Sequence, residues 1–545
     1  MPILLITTPL ILSGFTHLWN PIGFPYVHGD EGHYLRRAMH VLHGLGPQET
    51  KMEFDHPFDH PYFGQLFLGG ILWIIGYPHF INISDISLEG LKESVEQLYL
   101  VPREIMGFLA LADTLLIYKI TERKYSRKAG FLAAILFAVM PLTWLTRRTV
   151  LESILLPFIL CSILCAVYLR TGYSKDDHKN NNESSFRGDS VRSGRIVNKG
   201  QALTLLSGLL LGLAIFTKIT AIMIIPLVVY LIFVNSNKSF KALGLWFFPV
   251  VLIPMIWPGY ALLIGQFQDW VDGISWQSER EGRGLMRSFN AIFRIDPALW
   301  MIGLSSVILV TAVKKDPFLL LWIIPFLLFY SSITFIQHFH WILLLPMLCI
   351  AAGVCISDIL NKIRAKSSFS INKVVSYSML SAFFLFGLVS TTLLITTNIN
   401  TSLFEAQALI IKIMPHHSEK DKGDSEEVTL MGSNWMQIFS WIPQYIFNKD
   451  HAFKAFAGAN LPVEHDKRVL LLVDGKDLKR FIIDNAKGVN SEKEKIYNNT
   501  QTIAEVKEKS EYYKKYRDRY PYTSIHENRG IEGGKIIMKA DYIKD

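Results

Sequence analysis

The 545-residue chain is short of charge: Asp, Glu, Lys and Arg make up 19% of it, where soluble globular chains carry about a quarter. It is nearly as short of cysteine. The only four, Cys161, Cys165, Cys349 and Cys355, lie inside apolar runs, so the water-exposed parts offer neither a disulfide framework nor a thiolate metal site. No His-Glu-x-x-His motif and no paired-cysteine motif is present, which removes two common metal signatures. No charged region precedes the apolar residues 2–19 and no small-x-small site follows them, so they read as a retained first span rather than a cleaved signal peptide. Nor are there repeated halves with broken helices, the usual pattern of a secondary transporter.

Apolar residues are abundant instead, at 50%, and they come in blocks. Uncharged runs near 131–146, 202–217, 219–234, 242–265, 298–313, 317–336, 341–357 and 374–395 can each cross a hydrocarbon core of roughly 30 Å, allowing for tilt and flanking residues. The chain therefore reads as an all-α polytopic membrane protein. Its net charge of +8 is then explained by cationic loops on the cytoplasmic face rather than by nucleic acid.

Those loops orient the chain. Residues 119–128 hold five basic residues and one acidic; residues 170–199 hold seven against four, are rich in Asn, Ser and Gly, and read as a disordered insert. Lys238 and Lys241, Lys314 and Lys315, and Lys362, Arg364 and Lys366 mark three more inside loops, whereas 80–98 is acidic. Residues 62–79 decide the parity. If they lie in the interface instead of spanning, every basic loop falls inside. The expected arrangement then has about 11 spans, an inside N-terminus and an outside C-terminal tail. Arg36 and Arg37 count against it, but five loops outweigh one pair.

With that topology Asp30, Glu31, Asp59, His60, Pro61, Glu152, Lys218, the 264–297 loop and the turn from Gln337 to His340 all reach the outer face. Polar groups are costly near lipid, so their convergence marks a site. In "HGDEGHYLRR", Asp30 fits a helix N-cap and Glu31 the first turn, where the helix dipole favours ionised carboxylates. An ionised carboxylate there can take a proton from an incoming hydroxyl; an ordinary capped surface helix fits the spacing equally well. In "FDHPFDHPYFGQ", His56 and His60 are four apart, each before a proline. Asp and His are metal ligands, so a divalent metal stays open beside a purely structural reading. Arg103, Lys218, Arg280, Arg283, Arg287, His338 and His340 supply positive or protonatable groups suited to phosphate oxygens, although snorkelling also accounts for Lys218. Asp113, deep in a span, reads as structural and in need of an internal partner.

In order and spacing these segments resemble the GT-C glycosyltransferases, on the branch of the dolichyl-phosphate-mannose–protein mannosyltransferases and lipid A aminoarabinose transferases. "GDEGHYLRRA", "DHPYFGQLFLG", the run from "PREIMGFLALADTLLIYK" through "TRRTVLESILLPF", "GLLLGLAIFTKITAIMIIPLVVYL" and "HWILLLPMLCIAAG" carry the likeness over roughly residues 1–395. The resemblance implies that Asp30 is the catalytic base and that Glu31 organises the site. Arg103 matches the arginine opening the second span, and His60-Pro61 matches a His-Pro segment near the membrane surface. It also implies a donor in which a hexose, mannose-like, is linked to polyprenyl phosphate. Departures are Tyr62 for a second proline, Glu152 where Asp is commoner, and His340-Trp341 for an Arg-Tyr pair. The oligosaccharyltransferase motif Trp-Trp-Asp-Tyr-Gly is missing, which argues against that branch and its metal dependence.

The expected organisation is a GT-C-like membrane domain over 1–396, with a first outer loop at 20–100, a cytoplasmic insert at 171–200 and an outer loop at 264–297. A small extracytoplasmic α/β domain follows over 397–545. In it "EEVTLMGSNWMQIFSWI" and "KRVLLLVDGKDLKRFIID" read as strands leading into helices, 491–518 as a charged helix and "GGKIIMKAD" as a last strand. Its aromatics Trp435, Phe439, Trp441, Tyr445 and Phe447 either pack a core or cover the membrane site. Asn82, Asn400 and Asn498 begin outer Asn-x-Ser/Thr sequons.

The functional expectation is a glycosyltransferase of the cell membrane that acts on an acceptor hydroxyl of a protein, glycan or lipid. It should invert the anomeric carbon and require no cofactor; its partners are the lipid-linked donor and that acceptor, with no nucleic acid. A secondary transporter would instead show counter-ion-driven uptake. A metal-dependent lipid-phosphate hydrolase would lose activity in chelator and regain it with metal.

Overall fold

The computed structural model describes residues 4–48, 58–85, 87–169, 189–282, 284–365, 371–413, 428–432, 441–447, 451–455, 468–474, 501–507 and 535–541. The fold is mostly helical, and every apolar run identified above forms a helix. The chain opens with α1 (Leu4–Leu18), followed by α2 (Gly29–Leu42), α3 (Phe63–Ile74) and the 37-residue α4 (Leu88–Lys124). Next come α5 (Arg127–Val139), α6 (Leu151–Tyr168), α7 (Asp189–Thr217) and α8 (Ile225–Asn235). The later helices are α9 (Phe240–Leu252), α10 (Ile256–Leu263), α11 (Phe267–Glu279), α12 (Leu285–Ile295), α13 (Pro297–Lys314), α14 (Phe318–Ser332), α15 (Leu345–Ala365), α16 (Ile371–Ile395) and α17 (Thr401–Ile413). Three 3-10 turns, Pro141–Arg147, Ile219–Ile224 and His338–Leu344, interrupt or begin apolar runs, and all three border the site described below.

Among the described residues, six helices are long and apolar enough to cross a membrane, and α5 with its 3-10 turn, bent by 72°, makes a seventh. Shorter apolar helices cover Leu4–Leu18, Phe63–Ile74, Ile219–Asn235 and Phe318–Ser332. At 12 residues α3 is about 18 Å long, too short to span, and it packs on α2 and α7. Large apolar side chains such as Phe248, Met379 and Leu385 face outward on α9 and α16, as lipid contact requires.

The core forms where α4, α5, α6 and α15 meet. Small residues let these helices approach closely. A Cβ on Gly353 of α15 would stand 2.6 Å from the Ala133 nitrogen and 2.9 Å from the Ala129 carbonyl of α5. Asp296 caps α13 through the Leu299 amide at 2.9 Å and also accepts from the Leu142 amide at 3.3 Å, tying that helix to the 141–147 turn.

In the C-terminal part the described strands are β1 (Val428–Gly432), β2 (His451–Ala455), β3 (Arg468–Asp474), β4 (Gln501–Lys507) and β5 (Lys535–Asp541), in the order β2-β1-β3-β5-β4. β1 runs parallel to β2 and β3, while β5 is antiparallel to β3 and β4.

Several expectations change. Helix α7 begins at Asp189, inside the stretch read as disordered. Residues 501–507 are strand where a charged helix was expected: Thr502 and Val506, which suit a sheet, pair with Lys539 and Ile536 of β5, and the register skips Ile503 at a bulge. Asn400 is buried, its side chain bonded to Ile22, Pro25 and Val27, so this sequon cannot carry a glycan in the folded chain. Asp113 is buried, and neither of its carboxylate oxygens has a partner among the described residues. Trp435, Phe439 and Asn498 lie outside the described residues.

Gly353→Ala should lower stability by about 1–3 kcal/mol through overpacking, read as a lowered melting temperature of the detergent-purified chain. Gly244→Ala, in a helix with no atom within 4 Å of the added Cβ, should be neutral or slightly stabilising.

Candidate active site

The loop that delivers Asp30 and Glu31 is stapled in place. Asn20 Nδ2 donates to the Ile395 and Thr397 carbonyls at 3.0 Å each. The Asn400 carboxamide accepts from the Val27 amide and donates to the Ile22 and Pro25 carbonyls. Arg147 donates to the Trp19 carbonyl. Helix α2 then starts, with His28 as N-cap rather than Asp30: His28 Nδ1 accepts from the Asp30 amide at 3.2 Å, and Glu31 Oε1 accepts from the His28 amide at 2.9 Å. This reciprocal cap places Asp30 in the first turn with its side chain released from capping.

The two neighbouring acids consequently differ. Glu31 is fully buried and accepts from Arg103 Nε at 2.9 Å and Nη2 at 2.8 Å, and from the Thr149 amide at 3.2 Å. Burial alone would raise its pKa, but the charge and hydrogen bonds of Arg103, with Arg148 and the His28 amide, hold the carboxyl below its usual range. Arg103 also donates from Nη1 to the Pro21 and Pro25 carbonyls at 2.7 and 2.8 Å. Four hydrogen bonds thus commit this arginine to Glu31 and the loop, not to the open phosphate site expected for it.

Asp30 keeps 38% of its side chain accessible; its Oδ1 lies 3.5 Å from His28 Nδ1, which already accepts from the Asp30 amide, so this contact is a close approach and not an ion pair. Desolvation in its enclosing cleft raises the carboxyl above its ordinary pKa, against the lowering pull of Lys218, His33 and Arg280. It is therefore a more basic carboxylate than a solvated one.

A second cluster closes one side. Lys218 opens the 219–224 turn and sets Nζ 2.6 Å from Glu152 Oε1, both side chains buried. His340 Nδ1 accepts from the Gln337 amide at 2.8 Å, which puts the ring proton on Nε2, 3.6 Å from Glu152 Oε1. Glu152 Oε2 has no partner among the described residues. His338 stacks edge-on against His28 at 5.5 Å and lies 6.4 Å from the Trp144 ring.

The opposite side is built on Asp59, whose Oδ1 pairs with Arg37 at 2.7 Å while Gln277 of α11 reaches Oδ2 and His60 Nε2 at 3.5 Å each. Burial pushes His60 down to about 3 against the raising effect of Asp59, so it is neutral. Arg280 is clasped between the rings of Phe335 at 3.9 Å and Trp276 at 4.5 Å, and its charge still acts on Asp30. Pro61 and Tyr62 lead into α3, with Tyr62 against Phe216 at 4.8 Å.

The expected residues Asp30, Glu31, Arg103, Glu152, Lys218, Asp59, His60, Pro61, Arg280, His338 and His340 thus come together at one end of the bundle. Arg283 and His56 lie outside the described residues. Sequence reading passed over Arg148, buried over the Trp144 ring at 5.0 Å, and also Arg37 and Gln277. The adjacent arginines of "TRRTVLES" were the signal for Arg148, since two cations beside an apolar run carry a desolvation cost that demands a reason. Trp441 packs on Tyr99 of α4 at 5.9 Å and Tyr445 on His43 beyond α2 at 5.1 Å, so these C-terminal aromatics brace the membrane part. No group of three or more His, Cys, Asp or Glu able to hold a metal occurs among the described residues.

Residues 50–257 match the family model of the dolichyl-phosphate-mannose-protein mannosyltransferases. No curated protein matches the chain in sequence. Among solved structures, the Archaeoglobus fulgidus oligosaccharyltransferase tethered to an acceptor peptide is 11% identical and superposes with a TM-score of 0.55, over 92% of this chain and 72% of its own. ArnT from Cupriavidus metallidurans in the apo state is 12% identical, with a TM-score of 0.53 over 99% and 98% of the two chains. The same protein bound to undecaprenyl phosphate gives 11%, 0.51, 99% and 97%. At such identities the superpositions establish a shared fold. The resemblance read from the sequence is borne out: the matched family and these neighbours are GT-C glycosyltransferases, enzymes that use lipid-linked donors.

Breaking the Lys218–Glu152 pair with Lys218→Met should cost about 3–5 kcal/mol by stranding a buried carboxylate. Lys218→Met with Glu152→Met should recover much of that loss, as measured by denaturation in detergent.

Proposed function

We propose that the chain is a membrane glycosyltransferase that moves a hexose, mannose-like, from a polyprenyl-phosphate donor to an acceptor hydroxyl on a protein, glycan or lipid. The observation carrying this reading is the division of labour between adjacent acids: Glu31 is saturated by Arg103 and backbone amides, while Asp30 is accessible and made more basic. The matched mannosyltransferase model and a fold shared with an undecaprenyl-phosphate-bound ArnT support the donor class.

In the proposed step the acceptor oxygen attacks the anomeric carbon as its proton passes to Asp30. The bond from that carbon to the phosphate oxygen breaks, and the electron pair leaves with polyprenyl phosphate. A phosphate leaving group needs no proton, so one base with nearby cations suffices. Displacement in a single step inverts the anomeric carbon. Lys218, Arg280 and His338 supply the cationic or donor side, and Glu152 Oε2, without a partner among the described residues, can accept from a sugar hydroxyl. Arg103 acts through Glu31. The site faces the extracytoplasmic side of the cell membrane, with the N-terminus inside, as the basic loops direct. The sheet of 428–541 forms an extracytoplasmic domain beside it. No metal takes part in this scheme, and chelation should leave turnover unchanged.

Asp30→Asn should abolish transfer in proteoliposomes while polyprenyl-phosphate donor binding stays within about threefold; retained turnover would remove Asp30 from the mechanism. Because the raised carboxyl must be ionised to accept a proton, kcat/KM should fall about tenfold per pH unit below its pKa. That acid limb should lie above the ordinary aspartate value near 3.9. A limb at or below that value would contradict the assignment.

A further inference from the structure

Helix α4 carries Arg103 to the site and Lys124 to the opposite end, about 30 Å away at 1.5 Å per residue. There a cavity of ≈ 410 Å³ opens between helix ends, lined by Lys124, Tyr230, Asn235, Asn237, Lys315 and Asp316. The proposed reaction uses none of these residues.

Three features give the cavity a ligand chemistry. The first is charge. Asp316 is spent on Lys124, with Oδ2 at 2.7 Å from its Nζ, and on the Phe318 amide, at 3.2 Å. Lys315 makes no ion pair among the described residues, which leaves one exposed ammonium uncompensated. The second is backbone conformation. Lys315 ends α13 in the left-handed region, φ 51° and ψ 39°, where glycine is the usual residue. Asn237 (φ 57°) and Lys238 (φ 60°) share that region, so three of the four such non-glycine residues described stand at this one place. Unfavourable conformations held by non-glycine residues concentrate at ligand clamps. The third is an apolar flank: Val313, two residues before Lys315, and Phe240, three after Asn237, are 66% and 77% exposed.

A polar, net-cationic cavity beside lipid-facing side chains on the basic end of a helix bundle matches an amphiphile with an anionic head. We propose that this cavity binds the phosphate-bearing headgroup of an anionic membrane lipid, with Lys315 as its principal charge contact and the acyl chains along Val313 and Phe240. It is a second lipid site, on the face opposite the candidate active site, and stands independently of the glycosyl-transfer reading.

Thermal unfolding of the full chain in detergent, titrated with phosphatidylglycerol, phosphatidylcholine or inorganic phosphate, tests this. Phosphatidylglycerol should raise the melting temperature and phosphatidylcholine should not. Lys315→Gly, which suits the left-handed backbone, should fold with equal or higher lipid-free stability yet bind phosphatidylglycerol about five-fold more weakly. Lys315→Gln should weaken it to the same degree. Lys362→Gln, on the same face outside the cavity, should leave the shift intact. An unchanged response in Lys315→Gly, an equal loss in Lys362→Gln, or equal shifts from both lipids would overturn the proposal. A full shift from inorganic phosphate alone would reassign the cavity to a soluble anion.

Discussion

The guanidinium of Arg103 holds the site together. It binds Glu31 through two nitrogens and the Pro21 and Pro25 carbonyls through the third, joining α4, the 20–28 loop and the start of α2. A charge buried this deeply is tolerable only when fully paired and hydrogen-bonded. Here the pairing also fixes geometry: with Glu31 anchored and His28 capping the helix, Asp30 stands in the first turn with its side chain uncommitted to the cap and 38% accessible. The asymmetry between two adjacent carboxylates, on which the proposed chemistry depends, is created by one arginine 72 residues away.

The same division recurs around the cleft. Asp59 is held by Arg37, Asp296 by two amides, and Glu152 by Lys218 with one oxygen left open. Near Asp30 the carboxylates that hold elements together are paired, whereas Asp113, deep in α4, is buried with no partner among the described residues. Backbone breaks serve the same end. The 3-10 turns at 141–147, 219–224 and 338–344 bring Arg147, Lys218, His338 and His340 to one level of the bundle, where continuous α-helix would fan them around three axes.

Much of this was legible in the chain. Hydropathy blocks marked the helices, because lipid leaves an apolar segment no other way to satisfy its backbone. Charged residues interrupting those blocks marked the site, because their cost demands a reason. What the pattern could not convey was partnership. Arg103 read as a phosphate ligand and proves to be a staple, since pairing depends on which span ends meet in space. Asp30 read as the N-cap because Asp caps commonly; the histidine before it does the work, through a ring nitrogen that propensity scales rank poorly. The sheet was the least legible part. Val469–Val473 announced a buried strand by composition, whereas in Gln501–Lys507 the few β-favouring residues are interleaved with Glu505 and Lys507, and the pairing with β5 decides the strand.

The central claim is that Asp30 and the cations around it share one membrane face, opposite the basic helix ends. Single cysteines at Asp30, Ser278 and Lys315, placed in a background lacking the four native cysteines, can be probed in sealed vesicles with a membrane-impermeant maleimide. The account predicts that positions 30 and 278 react from one side and 315 from the other. Labelling of position 30 together with 315, and apart from 278, would contradict it.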